Sequence, residues 1–242
     1  MFTQARFLLI LLITIICCNC ATAKTKVLIF SKTAGFHHAS IAPGIAAIQL
    51  LGKQNGFDTD TTTDAGKFTY ANLKKYAAVI FLNTTGNVLN DEQQVEFQRY
   101  IRSGKGFVGV HAATDTEFDW PWYGQLVGAY FSNHPRVQQA TLQVTPPANA
   151  FTRHLPPNWT KTDEWYNFKW IADSLHVVIT VDESSYTGGK NSPVHPISWY
   201  QEFEGGRAFT TVLGHTDESY TDALFMQHLL VGIQYAAGKL KL

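Results

Sequence analysis

The sequence predicts an α/β protein with a mostly parallel sheet, helices on both faces of that sheet and an antiparallel extension in its C-terminal part. Short apolar runs alternate with helical stretches, which is the order that builds parallel βαβ units. The runs in the first half are apolar at successive residues, as are strands that are covered on both faces. Beyond Val137 the runs instead alternate apolar and polar residues, and this pattern predicts the antiparallel extension.

The N-terminal half is predicted to form four strands and three helices. The strands are "KVLIF" (26–30), "FDTDTTT" (57–63), "AAVIFLN" (77–83) and "GFVGV" (106–110). Ser40 is expected to cap a first helix, in which apolar residues recur at helical spacing until Gly56 ends it. "YANLKKY" predicts a short second helix, and Asn90 with Gln93 predicts a capping box for a third helix that ends near Gly104.

The C-terminal half is predicted to add four strands and a final helix. The strands of the extension are "QQATLQVT" (138–145), "LHVVITVD" (175–182), "HPISWYQEF" (195–203) and "RAFTTVLG" (207–214). The sequence Glu204-Gly205-Gly206 predicts a hairpin turn between the last two strands. In the closing segment, 219–238, Ser219 and Asp222 predict a capping box for an amphipathic helix that packs on the sheet.

The first 23 residues are typical of a secretory signal peptide. Arg6 precedes an apolar run over 7–18, and Ala21-Thr22-Ala23 forms a small-residue cleavage pattern. The run is shorter than the roughly 20 residues that cross a bilayer, so we expect cleavage after Ala23 and no transmembrane segment in the mature chain. Lipid attachment at Cys20 is the alternative, although the residues before it fit a lipobox poorly. The protein is therefore expected to be exported, to the periplasm or beyond.

Residues 24–242 are expected to form one domain, because no linker or repeat divides them. All three cysteines lie in the leader, so the mature chain has no thiol nucleophile, disulfide or thiolate metal site. The net charge of zero argues against nucleic acid as a partner. The chain also lacks the G-x-S-x-G, G-x-x-x-x-G-K-[ST] and G-x-G-x-x-G motifs, which disfavours serine hydrolases, nucleotide hydrolases and dinucleotide-dependent dehydrogenases.

Polar loops follow the first, third and fourth predicted strands, and they are the expected location of a binding site. In open parallel sheets the ligand crevice lies beyond the carboxyl ends of the strands. Convergence of these loops would bring together seven polar residues, namely His37, His38, Asn83, Thr84, His111, Thr114 and Asp115. If a helix begins directly after the fourth strand, His111 and Asp115 share one of its faces and could bind the same ion or substrate. The alternative is that His111 donates to a loop carbonyl and Asp115 caps the helix.

Further histidines and acids follow in the second half of the chain. His134, Asp163, Glu164 and His215 lie in polar segments and could join the same site. Imidazole and carboxylate groups suit zinc or manganese, and a metal held by His111, His134 and His215 is one hypothesis, although their spacing matches no short zinc signature. His176, in a strand-like run, and His228, in the apolar stripe of the last helix, are expected to be structural. His228 is expected to have its hydrogen bonds satisfied in the core.

Five blocks give the chain its resemblance to a known family. They are "KVLIFSKTAGFHHASI", "GFVGVHAATDT", "LVGAYFSNHP", "HLPPNWTKTDEWYNF" and "PISWYQEFEGGRAFTTVLGHTDESY". In this order they resemble the trehalose-utilisation (ThuA-like) family over nearly all of the mature chain. The resemblance implies a flavodoxin-like fold similar to that of class I glutamine amidotransferases. Those enzymes carry a cysteine in a G-x-C-x-G turn, whereas here Gly109-Val110-His111-Ala112-Ala113 occupies that stretch, so amidotransferase activity is excluded.

The resemblance also implies a link to disaccharide breakdown through sugars that are oxidised at C3. In a 3-keto sugar the C2 proton is acidified, so a base can remove it and the C1 substituent can leave. The roles implied are His111 as ligand or base, Glu164 or Asp115 as its partner, and His134 and His215 as further ligands or substrate donors. His37 would orient the sugar.

Two functions remain open at this point. One is an exported enzyme that acts on a disaccharide or a 3-keto-glycoside by general acid/base or metal-assisted chemistry, with a carbohydrate as its small-molecule partner. The other is a carbohydrate-binding or accessory protein without catalytic activity.

Overall fold

A nine-stranded sheet forms the centre of the structure, a computed structural model that describes residues 24–240. In chain order the strands are β1 (Thr25–Phe30), β2 (Phe57–Thr62), β3 (Ala78–Leu82), β4 (Gly106–Val110), β5 (Ala129–Asn133), β6 (Gln138–Val144), β7 (Asn158–Asp163), β8 (Asn167–Ile171), β9 (His176–Val181), β10 (Pro196–Phe203) and β11 (Gly206–Thr211). The helices are α1 (Ile41–Asn55), α2 (Tyr70–Leu73), α3 (Asp91–Arg102), α4 (Pro121–Val127) and α5 (Ala223–Ala236). The predicted signal peptide, including Cys20, lies outside the described residues.

The sheet is parallel at one end and antiparallel at the other. Its strand order is β2-β1-β3-β4-β11-β10-β9-β6-β7, and the first five strands are parallel neighbours. The remaining pairs are antiparallel. This is the α/β architecture that the sequence predicts, with the antiparallel strands drawn from the C-terminal part of the chain.

Strand β11 differs from the prediction, because it belongs to the parallel part and not only to the extension. It pairs antiparallel with β10 and parallel with β4, from Arg207 opposite Gly106 to Thr211 opposite Val110. Nearly all of β11 is buried, including its threonines. Polar threonines at buried positions gave the sequence the alternating appearance of a half-exposed strand.

Three further strands were not predicted. Strands β5 and β8 pair with each other in a separate two-stranded antiparallel sheet, and β7 lies at the edge of the main sheet. These strands are five or six residues long and contain several polar residues. Their pairing depends on partners that are distant in the chain, so local patterns do not predict them.

The core fills both faces of the sheet. Val27 and Ile29 of β1 contact the cluster that includes α1 and α5, whereas Leu28 and Phe30 contact the cluster that includes α2, α3 and α4. Helices therefore cover both faces, as predicted. None of the helices between residues 24 and 240 has the length and apolarity that crossing a bilayer requires.

Among the predicted helix caps, Gly56 at the end of α1 and the capping box of α3 are confirmed, whereas the side-chain caps expected from Ser40 and Ser219 do not form. Asn90 and Gln93 form the reciprocal capping box of α3. Ser40 makes no cap bond to α1, because its hydroxyl instead donates to the Gly214 carbonyl and accepts from Asn83. At α5 the cap is Asp222 itself, which accepts from two backbone N–H groups, since a 3₁₀ turn over Asp217–Thr221 takes up the residues before it.

Candidate functional site

The turn after β4 places His111 at the carboxyl end of the sheet. Its backbone is left-handed, with φ 48°, and its imidazole is completely buried. Residues His111–Asp115 form a 3₁₀ turn, and the helix predicted here begins only at Pro121, so the prediction that His111 and Asp115 share a helix face is wrong. Nδ1 of His111 lies 2.8 Å from the Val212 carbonyl, which only accepts. In the neutral imidazole Nδ1 therefore carries the proton and Nε2 presents a lone pair to the site, whereas in the imidazolium Nε2 donates towards Glu164.

Three histidines and one carboxylate meet at this point. Oε2 of Glu164 lies 3.4 Å from Nε2 of His111 and 3.2 Å from Nδ1 of His215, and those two nitrogens are 3.3 Å apart. The ring of His38 lies edge-on to both imidazoles, with centroids 4.9 Å from His111 and 5.4 Å from His215. One ligand atom from each of the four residues lies within 4.8 Å of the others, and we call His38, His111, Glu164 and His215 the His/Glu cluster.

Four separate segments supply the His/Glu cluster. His38 comes from the loop after β1, His111 from the turn after β4 and His215 from the loop after β11, and all three strands belong to the parallel part of the sheet. The carboxyl ends of parallel strands meet at one edge, so this convergence is the one that the fold class predicts. Glu164 directly follows β7, at the far antiparallel edge.

Asp163 links the segment that carries Glu164 to the segment that carries His215. Its carboxylate is buried and accepts from the backbone N–H groups of Glu164 (2.9 Å), Gly214 (3.0 Å) and His215 (3.1 Å). The hydroxyl of Ser219 donates to it as well, at 3.2 Å. Asp163 was expected to join the binding site, but its oxygens accept from groups of the chain itself, and it positions Glu164 and His215.

The carboxylate of Glu164 and the imidazoles beside it stabilise each other's charged forms, whereas the charged form of His38 is disfavoured. Burial opposes ionisation of Glu164, but hydrogen bonds with His111 and His215, together with their charges, outweigh it and hold the pKa of Glu164 well below its usual range. The hydrogen bond with Glu164 raises the pKa of His215. Burial, reinforced by the two neighbouring imidazoles, lowers the pKa of His38 to about 3. His38 is therefore neutral at physiological pH, and its buried Nδ1 has no hydrogen-bond partner.

A cavity of about 270 Å³ opens beside the His/Glu cluster. Its polar lining consists of His38, Asp115, His134, Glu164 and His215, and its apolar lining of Phe36, Phe131 and Tyr166. Burial raises the pKa of Asp115 to about 6, although the charge of His111 opposes the shift. Asp115 is thus a carboxylate of near-neutral basicity facing the same space as the cluster.

His134 contacts the cluster from outside. Its Nδ1 lies 3.0 Å from Oε1 of Glu164 and 2.9 Å from the Pro135 carbonyl, and its side chain is partly exposed. It thus contacts the Glu164 oxygen that faces away from His111 and His215. The hypothesis of a metal held by His111, His134 and His215 therefore changes, because His38 and Glu164 complete the cluster geometrically and His134 does not.

Three other predicted site residues lie away from the cluster. Asn83 and Thr84 are fully buried. Asn83 donates to Ser40 and Thr84 hydrogen-bonds to Thr116, so these side chains connect neighbouring loops beneath the surface. His37 is exposed, 3.3 Å from the hydroxyl of Thr33.

The two histidines that were expected to be structural differ from each other. His228 is fully buried, with Nε2 bonded to Ser198 but Nδ1 unpartnered, so it is a core residue that is only half satisfied. His176 is exposed and stacks on Tyr200.

Sequence reasoning missed the aromatic wall of the cavity and the ligand role open to His38. Tyr166 lies 4.5 Å from the His111 ring and 4.2 Å from Phe131 between centroids. Phe131 lies in β5 and Tyr166 directly precedes β8, and neither strand was predicted. The adjacent pair His37-His38 was a signal, but only the structure shows which of the two is buried.

The donor set is of the kind that zinc and manganese bind. Nδ1 of His111 donates to a carbonyl, so in the neutral ring the nitrogen that faces the site has a lone pair, and this arrangement is the usual support of a metal-binding histidine. The four ligand atoms lie within 4.8 Å of one another, whereas ligand atoms on a tetrahedral zinc with bonds of about 2.1 Å lie about 3.4 Å apart, so coordination requires the most distant side chains to move together by about 1.4 Å.

Solved structures share this fold. A ThuA-like protein from Bacteroides uniformis matches with a TM-score of 0.75 and 24% identity, over 88% of this chain and 91% of that one. A second ThuA-like protein, from Parabacteroides merdae, matches with a TM-score of 0.72 and 19% identity, over 90% and 92% of the two chains. A protein described as a component of GMP synthase, from Thermoplasma acidophilum, matches with a TM-score of 0.53 and 12% identity, over 90% and 96%. No curated protein matches the chain in sequence.

These likenesses define the chain as an α/β protein of the fold that ThuA-like proteins share. The family described as trehalose utilisation (ThuA) matches residues 26–236. The chain belongs to the ThuA family, and its function is related to carbohydrate.

Proposed function

We propose that this protein is an exported carbohydrate-processing enzyme whose His/Glu cluster holds a divalent cation, zinc or manganese. The observation that carries the proposal is the meeting of four ligand atoms within 4.8 Å of one another, beside a cavity and next to the carboxylate of Asp115. The buried Nδ1 of His38 has no hydrogen-bond partner, and an unpartnered buried nitrogen beside three other ligand groups supports a bound cation.

A bound cation supplies a positive charge that stabilises an oxyanion developing on the substrate. The chain's own residues do the remaining work. His111 is fixed by the Val212 carbonyl, and Asp163 holds the backbone of Glu164 and His215, so the site is organised before a ligand arrives.

Asp115 is the proposed general base. A base is most effective when its pKa is near the working pH, and burial raises the pKa of Asp115 to about 6. We propose a 3-keto-glycoside as the substrate, because its C2 proton is acidified by the neighbouring carbonyl. Removal of that proton by Asp115 leaves an enediolate, from which the C1 substituent departs with the bonding electrons.

Metal analysis of the purified protein tests the first part of the proposal. We expect about one equivalent of zinc or manganese per chain, and we expect His111→Ala and Glu164→Gln to lose it. His176→Gln is the matched control, because His176 is exposed and lies on β9. Retention of full metal content by both cluster variants would contradict the metal site.

Proton exchange tests the second part. In deuterated water the wild-type protein should exchange the C2 proton of a 3-keto-glucoside, and Asp115→Asn should retain metal but slow exchange by 100-fold or more, since general bases contribute about 10²–10⁴-fold. Exchange at the wild-type rate in Asp115→Asn would remove Asp115 from this role.

The alternative is a carbohydrate-binding protein without catalytic activity, which the aromatic lining of the cavity favours. For such a protein we expect affinity for a sugar, no bound metal and no exchange of the C2 proton. Export has its own test, since the N-terminal sequence of the mature protein should begin at Lys24, directly after the predicted signal peptide.

A further inference from the structure

Phe36 is an exposed aromatic side chain at the mouth of the cavity. Its side chain is 66% exposed, and it belongs to none of the hydrophobic clusters formed by residues 24–240. Its ring nevertheless lines the cavity and lies edge-on to His38, with centroids 4.8 Å apart. The folded chain therefore gains little from burying Phe36, although the ring adjoins the His/Glu cluster.

The loop that carries Phe36 is held firmly. The Thr85 carbonyl accepts from the backbone N–H of Ala34 at 2.7 Å, and the Thr85 hydroxyl donates to the Phe36 carbonyl at 2.8 Å. Thr85 is itself fully buried. An exposed aromatic ring on a fixed backbone loses little conformational freedom when a ligand packs against it, so such a ring is well suited to binding.

The size of the cavity limits what can lie inside it. Pockets for drug-sized ligands measure about 300–1,000 Å³, and this cavity of about 270 Å³ is just below that range. Its lining combines aromatic rings, including Phe131 and Tyr166, with polar side chains of the His/Glu cluster. One sugar ring suits this volume and this mixed lining, whereas the second ring of a disaccharide must remain outside.

We infer that Phe36 is the platform for that second ring, and that the protein prefers glycosides whose leaving group is a flat-faced ring, either a second sugar or an aryl group. The inference rests on the proposed function, because it takes the His/Glu cluster as the end of the cavity that the first ring enters. Phe36 is the ring at the mouth, next to the position where the bond between the two rings would lie.

Affinities for three 3-keto-glucosides test the platform. The methyl glycoside has no second ring, the phenyl glycoside has an aryl ring and the glucosyl glycoside has a second sugar. We expect the full-length wild-type protein to bind at least one of the ringed ligands about tenfold more tightly than the methyl glycoside, and Phe36→Ala to abolish that preference without changing affinity for the methyl glycoside. Val95→Ala is the control, because Val95 is 61% exposed on helix α3 and lines no part of the cavity.

The outcomes distinguish the two kinds of leaving group, and they also separate this inference from the proposed function. Loss of the phenyl preference alone identifies an aryl leaving group, and loss of the glucosyl preference alone identifies a second sugar. The inference is overturned if the wild type binds all three ligands equally, or if Phe36→Ala weakens the methyl glycoside as much as the others. Metal content and C2 exchange are measured on the same samples, so a failed platform leaves both intact, whereas a failed metal site leaves the ring preference in place.

Discussion

Residue-scale geometry explains why a histidine can be presented at the end of a buried strand. His111 adopts φ 48°, a conformation that costs a non-glycine residue about 1–3 kcal/mol. Two contacts hold it there, the bond from its Nδ1 to the Val212 carbonyl and the packing of its ring on Tyr166. The turn thus directs one ring nitrogen into the site and leaves the lone pair of that nitrogen available to a ligand.

Asp163 is the residue on which the relative placement of Glu164 and His215 depends. Asp163→Asn places an amide N–H₂ where an oxygen now accepts backbone N–H groups, so at least one donor is left without an acceptor. On the proposal that the His/Glu cluster binds zinc, we expect zinc affinity to fall 10- to 100-fold, as it does when the groups that orient metal ligands are changed. Competition with a chelator measures this effect.

The matched control for this prediction is Asp58→Asn, since Asp58 is an exposed carboxylate on edge strand β2. If the role of Asp163 were purely structural, Asp163→Asn would lower thermal stability and leave the zinc affinity of the folded protein unchanged. That result would contradict the positioning role.

The candidate site could be predicted only in part at this scale. His38 and His111 were named from loops at the carboxyl ends of parallel strands, which converge, whereas Glu164 and His215 were named from polar segments in the second half of the chain. The sequence did not predict which of these side chains would enter the cluster. His37 and His38 are neighbours in the chain, yet His38 is buried and His37 is exposed. The inward position of Asp163 depends on backbone donors at Gly214 and His215 that no motif reveals.

At the scale of elements, close packing of α5 on the sheet relies on glycine. A Cβ added to Gly232 would lie 2.1 Å from the ring of Phe209 on β11, and both residues are in the core. The helix therefore approaches the strand more closely than any side chain at this position allows.

Gly232→Ala should destabilise the protein by about 1–3 kcal/mol, because the ring of Phe209 must move or the helix must shift away. Helix propensity acts in the opposite direction by up to about 1 kcal/mol, so the net effect measures the steric conflict. Urea denaturation gives the value. Gln227→Ala on the exposed face of the same helix is the control, and equal stability of the two variants would show that the contact relaxes without cost.

The elements that were predicted are those whose sequence signals lie within the element itself. Strands β1, β3 and β4 are buried apolar runs and were predicted, as was the capping box of α3. Strands β5, β7 and β8 were missed, because their formation depends on pairing with distant segments.

At the scale of the whole molecule, the antiparallel end of the sheet must curve back towards the parallel end. Strand β7 is four positions away from β11 in the sheet, yet Asp163 at its end accepts a hydrogen bond from Gly214, just after β11. The twist of successive strands supplies such curvature. Glu164 reaches the cluster for this reason, and sequence patterns carry no information about it.

Buried neutral histidine makes the stability of the whole protein depend on pH. Burial, with a smaller contribution from His154, lowers the pKa of His228 to about 3 from its usual value of 6.5. Unfolding exposes the ring, so between these values the unfolded chain binds a proton that the folded chain does not. The contribution of His228 to stability is therefore complete above pH 6.5 and is lost as the pH falls towards 3.

The test compares the slope of unfolding free energy against pH between 4 and 6 in the wild type and in His228→Gln. We expect the variant to flatten the slope by about 1.4 kcal/mol per pH unit, the value for one proton. His176→Gln, the same substitution at an exposed site, is the control. Parallel slopes for wild type and His228→Gln would contradict the prediction.

The cavity has a consequence for long substrates. His38 and Glu164 line this cavity and are buried. On the proposed function, a polysaccharide would therefore enter by a terminal unit and be shortened stepwise from its tip.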